Sequence, residues 1–360
     1  MKIKIKQSPE YLRLSLAAAI TLGIRPGLFY RDAKLYCINL LLTYPSGCSA
    51  RCAYCGLSRK RKGEWDEKSF IRVTWPQHSL EDIIQRIGER INNVKRICIS
   101  QITNTRCIAD TVYITKKLRE SFDIPVSILV SPTIIDREDL KDFKEAGADK
   151  IGVAIDLATK ELFDKYRGSG VGGPHKWEKY QTCLSQAIEI FGPLNAGSHL
   201  VTGMGETEWE MSSAIQKIQD MDGWTHLFSF FPEKGSQLKD RAMPDMEHYR
   251  RIQLARYLID KGLSRFEKFV FDKKERITDF GLDRTFLETV IDSGEPFRTS
   301  GCEGYDGEVA CNRPYGNSRP GPDIRNFPFK PNTADICRIR QQLNPNNLMN
   351  NKIQKVKTCP

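Results

Sequence analysis

Cys48, Cys52 and Cys55 fall on one short stretch with three and then two residues between them. Soft thiolates suit iron–sulfur chemistry, and three on a single loop can wrap one corner of a cubane cluster. Three protein ligands leave one iron open to bind a small molecule. A structural zinc site wants four ligands, and no Cys or His supplies a fourth nearby; Cys37 is assigned to the strand before the loop. A second group lies in the tail, where Cys302, Cys311 and Cys337 interrupt a Pro- and Gly-rich stretch. Such a stretch buries little apolar surface, so a metal site that organises it is the expected reading, with Ser300 or Cys359 as the fourth ligand. Zinc is the generic occupant of such a spacing. Cys98, Cys107 and Cys183 read as core or helix cysteines.

The elements that must position these thiols alternate. Short apolar runs at 36–43, 96–101, 126–131, 150–155, 195–202 and 224–231 read as strands. Patterns of helical period at 80–92, 110–121, 137–145, 177–191 and 209–221 lie between them. Ser79 with Asp82 and Thr207 with Glu210 mark helix starts. Strands alternating with helices predict repeated βα units around a parallel sheet, an incomplete six-unit barrel with its chemistry at the C-terminal ends of the strands. The expected organisation is an N-terminal helical extension (1–34), the barrel core (35–232), a helical part (233–295) and an irregular tail with the second metal site (296–360).

Hydrophobic residues make up 40% and charged residues 28%, a globular composition that argues against global disorder. The apolar stretch from Leu14 to Ile24, with Thr21 and Gly23 inside it, falls short of the ~20 residues a membrane span needs. Gln7-Ser8-Pro9 reads as the entry to a short helix rather than a signal peptide, so a cytoplasmic protein is expected. In such a compartment clustered cysteines mean metal more often than disulfides. A net charge of +10 favours an acidic partner without choosing its kind.

A three-cysteine loop of this spacing directly after the first barrel strand, with an aromatic residue before the third cysteine, resembles the radical S-adenosylmethionine (SAM) superfamily. That resemblance implies that Cys48, Cys52 and Cys55 hold a [4Fe-4S] cluster whose open iron is chelated by SAM. An electron from the cluster then cleaves SAM to a 5′-deoxyadenosyl radical. It also implies that Tyr54 packs near the adenine, that Asp156 holds the ribose, that Arg167 meets the SAM carboxylate, and that the Gly203-Met204-Gly205-Glu206 turn lies beside the adenine. Plain readings compete for these: a strand-ending turn for Asp156, a helix-capping turn for 203–206, a solvated surface arginine for Arg167. Where the family often carries Gly-Gly-Glu, this chain has Ser100-Gln101-Ile102-Thr103-Asn104, so the SAM amino group must be held differently.

Across nearly the whole length the chain resembles one component of the two-protein lipoyl synthase system. Residues 37–45, 55–59, Gly301-Cys302 and Cys311-Asn312-Arg313-Pro314-Tyr315 carry that likeness. It implies an auxiliary [4Fe-4S] cluster on Cys302, Cys311 and Cys337 as sulfur donor. The substrate it implies is an octanoyl chain on a lipoyl carrier domain or a glycine-cleavage H-type protein. A second radical SAM component and an electron donor such as ferredoxin complete the set. The basic run Arg59-Lys60-Arg61-Lys62 is a candidate dock for an acidic carrier, against its plain reading as a solvated loop. Rival readings are an enzyme of the biotin synthase or methylornithine synthase type, a tRNA-thiolating enzyme, and a zinc protein that binds nucleic acid. No basic module with interleaved aromatics supports the RNA readings.

Overall fold

The computed structural model describes residues 6–343 apart from 32, 317 and 322. Among these residues, eight strands form one sheet: β1 Tyr11–Leu14, β2 Cys37–Leu42, β3 Gln77–Ser79, β4 Arg96–Ser100, β5 Val126–Val130, β6 Ala148–Asp156, β7 Ala196–Thr202 and β8 Trp224–Ser229. Six of them, β2 and β4 to β8, run parallel in chain order. Helices α2 (Leu80–Glu89), α3 (Cys107–Ser121), α4 (Arg137–Glu145), α5 (Lys160–Tyr166) with α6 (Trp177–Phe191), and α7 (Glu208–Asp220) supply the crossovers that parallel strands require. The result is the incomplete TIM-type barrel that the alternation predicted.

Local chemistry sets the helix starts. Ser79 accepts the amide of Asp82, and Thr207 with Glu210 forms a full capping box. The N-terminal segment departs from expectation. Tyr11–Leu14 is a strand that pairs antiparallel with both β2 and β3, and the helix α1 that follows is only Leu16–Thr21. Leu12 and Leu14 are fully buried there, so a nearby sheet edge outweighed the helical reading of a short apolar run. Beyond β8 the chain forms α8 (Met246–Asp260), a small hairpin of β9 (Val270–Phe271) and β10 (Ile277–Asp279), α9 (Arg284–Ser293) and, last, α10 (Thr333–Leu343).

The described residues of 298–329 run irregularly along the open edge and beneath the strands. Ser300 Oγ accepts the Leu227 amide at 2.8 Å and so ties the tail to β8. The Glu303 carbonyl accepts the Arg96 guanidinium at the foot of β4, and Asn312 donates to the Lys34 carbonyl before β2. No helix among the described residues is long and apolar enough to cross a membrane.

Candidate active site

The loop after β2 carries Cys48, Cys52 and Cys55 over the C-terminal ends of the strands. Gly47 turns the chain at a φ of 63°, and a Cβ there would press into the Trp65 ring at 2.8 Å. The segment that replaces the family's Gly-Gly-Glu anchors this loop. The Thr103 carbonyl accepts both the amide and the hydroxyl of Ser49, and the Thr103 amide donates to Cys48 Sγ at 3.4 Å. The Leu57 amide donates to Cys55 Sγ at the same distance. Sulfurs that accept backbone N–H groups fit thiolates holding a cluster, whose properties depend on such bonds. Without that charge burial pushes the thiols up, Cys52 to about 12 despite the pull of Arg167, and Cys55 well above its ordinary value.

Beside the loop lies a polar network. Asp156, at the end of β6 and in the left-handed region with φ 66°, accepts the Tyr54 hydroxyl at 2.6 Å and the Arg167 guanidinium. Arg167 also reaches Tyr54 Oη at 3.0 Å and Tyr180 Oη at 3.1 Å, and His175 Nδ1 stands 2.9 Å from Tyr180 Oη. Arg167 is 6% exposed, which excludes the solvated-surface reading. Two nitrogens of this network, Arg167 Nε and His175 Nε2, are buried without a partner among the described residues. Burial and then the Arg167 charge pull His175 down to about 2, so it is neutral. Tyr54, Asp156, Arg167 and His175 all line the central cavity. A cluster-bound ligand with amino, carboxylate and hydroxyl groups matches those unpaired nitrogens. His175 and Tyr180 were not legible beforehand, because nothing in their own segment marks them.

The 203–206 turn is built as its glycines require. Gly203 and Gly205 have φ of 103° and 118°, and Glu206 accepts the amides of Gly203 and Met204 at 2.6 and 2.9 Å. His248 braces it from α8, 3.7 Å from Glu206 and 3.1 Å from Glu208. Burial disfavours the charged imidazole, yet the two carboxylates outweigh it and raise His248 to about 9. The turn itself does not line the cavity, whereas Val201 just before it does.

The same cavity, about 270 Å³, continues down the barrel to Cys98, Cys302 and Cys311. Cys302 and Cys311 sit at the two ends of a tail hairpin, where the amides of Ala310 and Cys311 donate to the Cys302 carbonyl at 3.0 and 3.2 Å. Gly301 permits the approach, since a Cβ there would lie 2.1 Å from the Cys311 carbonyl oxygen. Against them stands Cys37 at the start of β2. It is hydrogen-bonded to Cys311 and Cys98, and Asn39 Nδ2 lies 3.5 Å from the sulfurs of both Cys37 and Cys311. Burial holds Cys37 protonated; its hydrogen bond draws Cys311 and Cys98 down.

This grouping of thiols differs from the expected one. Cys37 and Cys98, read as a strand residue in the wrong place and a core residue, join Cys302 and Cys311. Cys337 does not; it stands on α10 away from the cavity and is disulfide-bonded, an outcome the reduced-thiol expectation had disfavoured. Ser300 is spent on β8, and Cys359 lies outside the described residues. Alternate strand positions face one side of the sheet, so Asn39 and Cys98, paired in register, share the inner face. That was the available signal. Neither thiol set converges on a point: among the described residues no three His, Cys, Asp or Glu side chains are gathered closely enough for one metal ion. Thiolates that hold a cluster stand further apart than those of a single ion, because each binds a different iron.

Residues 42–218 match the model of the radical SAM superfamily. The chain carries a radical SAM domain. That domain implies a [4Fe-4S] cluster and SAM, and the Cys48, Cys52 and Cys55 loop lies within it with thiols of a kind that suits such a cluster. Biotin synthases of Streptococcus agalactiae, serotypes V and III, are each 21% identical to it over 266 residues, covering 71% of this chain and 76% of theirs. Among solved structures, methylornithine synthase (PylB) aligns with a TM-score of 0.48 and 13% identity over 68% of this chain and 66% of its own. HydG, a maturase of the [FeFe]-hydrogenase, aligns with a TM-score of 0.49 and 13% identity over 70% of this chain and 57% of its own. The chain therefore spans just under two-thirds of the length of the first of these structures and somewhat more than half of the second.

Proposed function

We propose that the protein inserts sulfur into an octanoyl chain carried on a protein, as one component of a two-protein lipoyl synthase. The observation that supports this reading is a single cavity with Cys48, Cys52 and Cys55 at its upper end and Cys98, Cys302 and Cys311, backed by Cys37, at its lower end. In this reading Cys48, Cys52 and Cys55 would hold the cluster that with SAM would supply radical chemistry, and Cys37, Cys98, Cys302 and Cys311 would hold a second that would supply sulfide. The chain's own residues hold the geometry. Arg167 and Tyr54 orient the upper ligand through Asp156. Leu129, Val201, Phe228 and Phe230 line an apolar passage that an alkyl chain fills and water does not.

The carrier, a lipoyl domain or an H-type protein of glycine cleavage, docks at Arg59, Lys60 and Lys62, which are exposed. Arg61 is not part of that surface, because its guanidinium turns inward to Ser69 and the Gly56 carbonyl. A ferredoxin-type donor supplies the electron, and a second radical SAM component makes the other insertion. The biotin synthase relatives favour a second reading, a related reaction on a free small molecule. Iron and sulfide counts after oxygen-free reconstitution test the first requirement. About eight irons in the wild type and about four in Cys48/Cys52/Cys55→Ala support two clusters. About four and none leave the lower thiols empty and exclude the sulfur-donor reading. Mass analysis of an octanoylated lipoyl domain then shows whether sulfur is added.

A further inference from the structure

Barrel interiors of this kind fill with layers of bulky branched side chains. The middle of this one is instead opened by small residues and walled by polar ones. To the cavity β2 gives Asn39, β4 Cys98, β5 Leu129, β6 Ala154, β7 His199 and β8 His226. The two histidines are paired in register, with ring centroids 5.3 Å apart. His226 is stacked on Trp224 at 3.8 Å, and His199 lies 5.0 Å from the Phe228 ring. A glycine makes room for the Trp224 ring on which His226 stacks, and a second packs at ordinary contact distance from His199. A Cβ on Gly197 would strike the Trp224 carbonyl at 2.1 Å and its ring at 2.4 Å, and one on Gly152 would lie 3.5 Å from His199 Nε2.

Neither imidazole hydrogen-bonds any described residue, and their settings are burial and the nearby charges of Arg313 and, for His226, Lys150 and Arg256. Burial keeps both neutral, so each carries one N–H and one lone pair. His226 is 7% exposed. Both imidazoles line the cavity, so they offer N–H donors to whatever occupies it, and a ligand that accepts is the partner that suits them. The Cys98, Cys302 and Cys311 sulfurs line the same cavity, and what they would hold presents sulfide lone pairs.

We propose that His199 and His226 donate N–H hydrogen bonds to the sulfur-bearing group at the Cys37, Cys98, Cys302 and Cys311 site and thereby raise its reduction potential. The inference rests on the two-cluster reading above. Hydrogen bonds to cluster sulfurs favour the more negative, reduced state, which gives the direction of the effect. His199 and His226 act here as positioning residues, through the group the thiols hold.

The test uses the full-length chain bearing Cys48/Cys52/Cys55→Ala, so that only the lower site is loaded, and follows its potential by spectroscopic redox titration. His199→Leu and His226→Leu are expected to keep about four irons and shift the potential more negative. His199→Gln, which retains an N–H donor, is expected to return it towards the parent. An unchanged potential, or equal shifts for the Leu and Gln variants, overturns the proposal. So does an unchanged potential accompanied by weaker binding of the octanoylated carrier in calorimetric titration, which moves the imidazoles' role to the acyl arm. No iron in the parent variant overturns the two-cluster reading itself, and this inference with it.

Discussion

The two thiol sets share one cavity but are made in opposite ways. Cys48, Cys52 and Cys55 lie within one loop, and their spacing and the backbone amides around them almost complete the site locally. Cys37, Cys98, Cys302 and Cys311 come from two strands and a hairpin some 200 residues further along, and they meet only when the tail has wrapped beneath β2 and β4. A site of the first kind survives disturbance elsewhere in the fold. A site of the second kind is as stable as the wrap that closes it.

The sharpest contrast comes from removing one thiol of each set. Cys52→Ala is expected to abolish deoxyadenosine formation; continued SAM cleavage would break the assignment of the upper loop. Cys98→Ala or Cys302→Ala is expected to leave deoxyadenosine formation within a few-fold of wild type while stopping sulfur transfer to the carrier. Cys337→Ser, being outside the cavity, should leave the iron count unchanged. Gly301→Ala probes the wrap rather than the ligands. Its Cβ would clash with the Cys311 carbonyl, and the expected result is loss of iron from the lower site alone, read as a halved iron count.

Smaller effects sharpen the upper end. Arg167→Lys removes the fork that joins Asp156, Tyr54 and Tyr180, and SAM binding is expected to weaken about tenfold, or ~1.4 kcal/mol. Calorimetric titration checks it, and an unchanged affinity would detach this network from SAM. The His248 brace gives a pH signature. Its folded value of about 9 lies above the ~6.5 of an unfolded histidine, so its stabilisation is complete below about pH 6.5 and is lost as pH rises through 9. Relative to His248→Gln, the wild type should lose its advantage in Tm between pH 7 and 10, by roughly 2–4 °C for each ~1 kcal/mol.

Six strands, their crossover helices and the upper thiol loop were legible because each is written in neighbouring residues: alternation, helical period, a capping pair, a fixed spacing. Two helices, 137–145 and 177–191, fall where their periodicity predicts. The strand at Tyr11–Leu14 was not, since four residues acquire strand character only from the edges they pair with. Arg167 reads in sequence as one more surface arginine after a helix. Its burial is decided by Asp156, Tyr54 and Tyr180, which the fold brings to it.

The chain's own order of residues thus determined the barrel, the catalytic loop and the existence of a cysteine-bearing tail. Which thiols the tail would meet was decided by tertiary structure alone. A strand thiol that meets the tail looks like any other inward-facing residue, as Cys37 and Cys98 do, and a tail cysteine such as Cys337 looks like a member of the group until helix α10 carries it elsewhere. Local patterns report on bonds between near neighbours. Packing between distant segments depends on where the whole wrap lands, and no short window of sequence contains that.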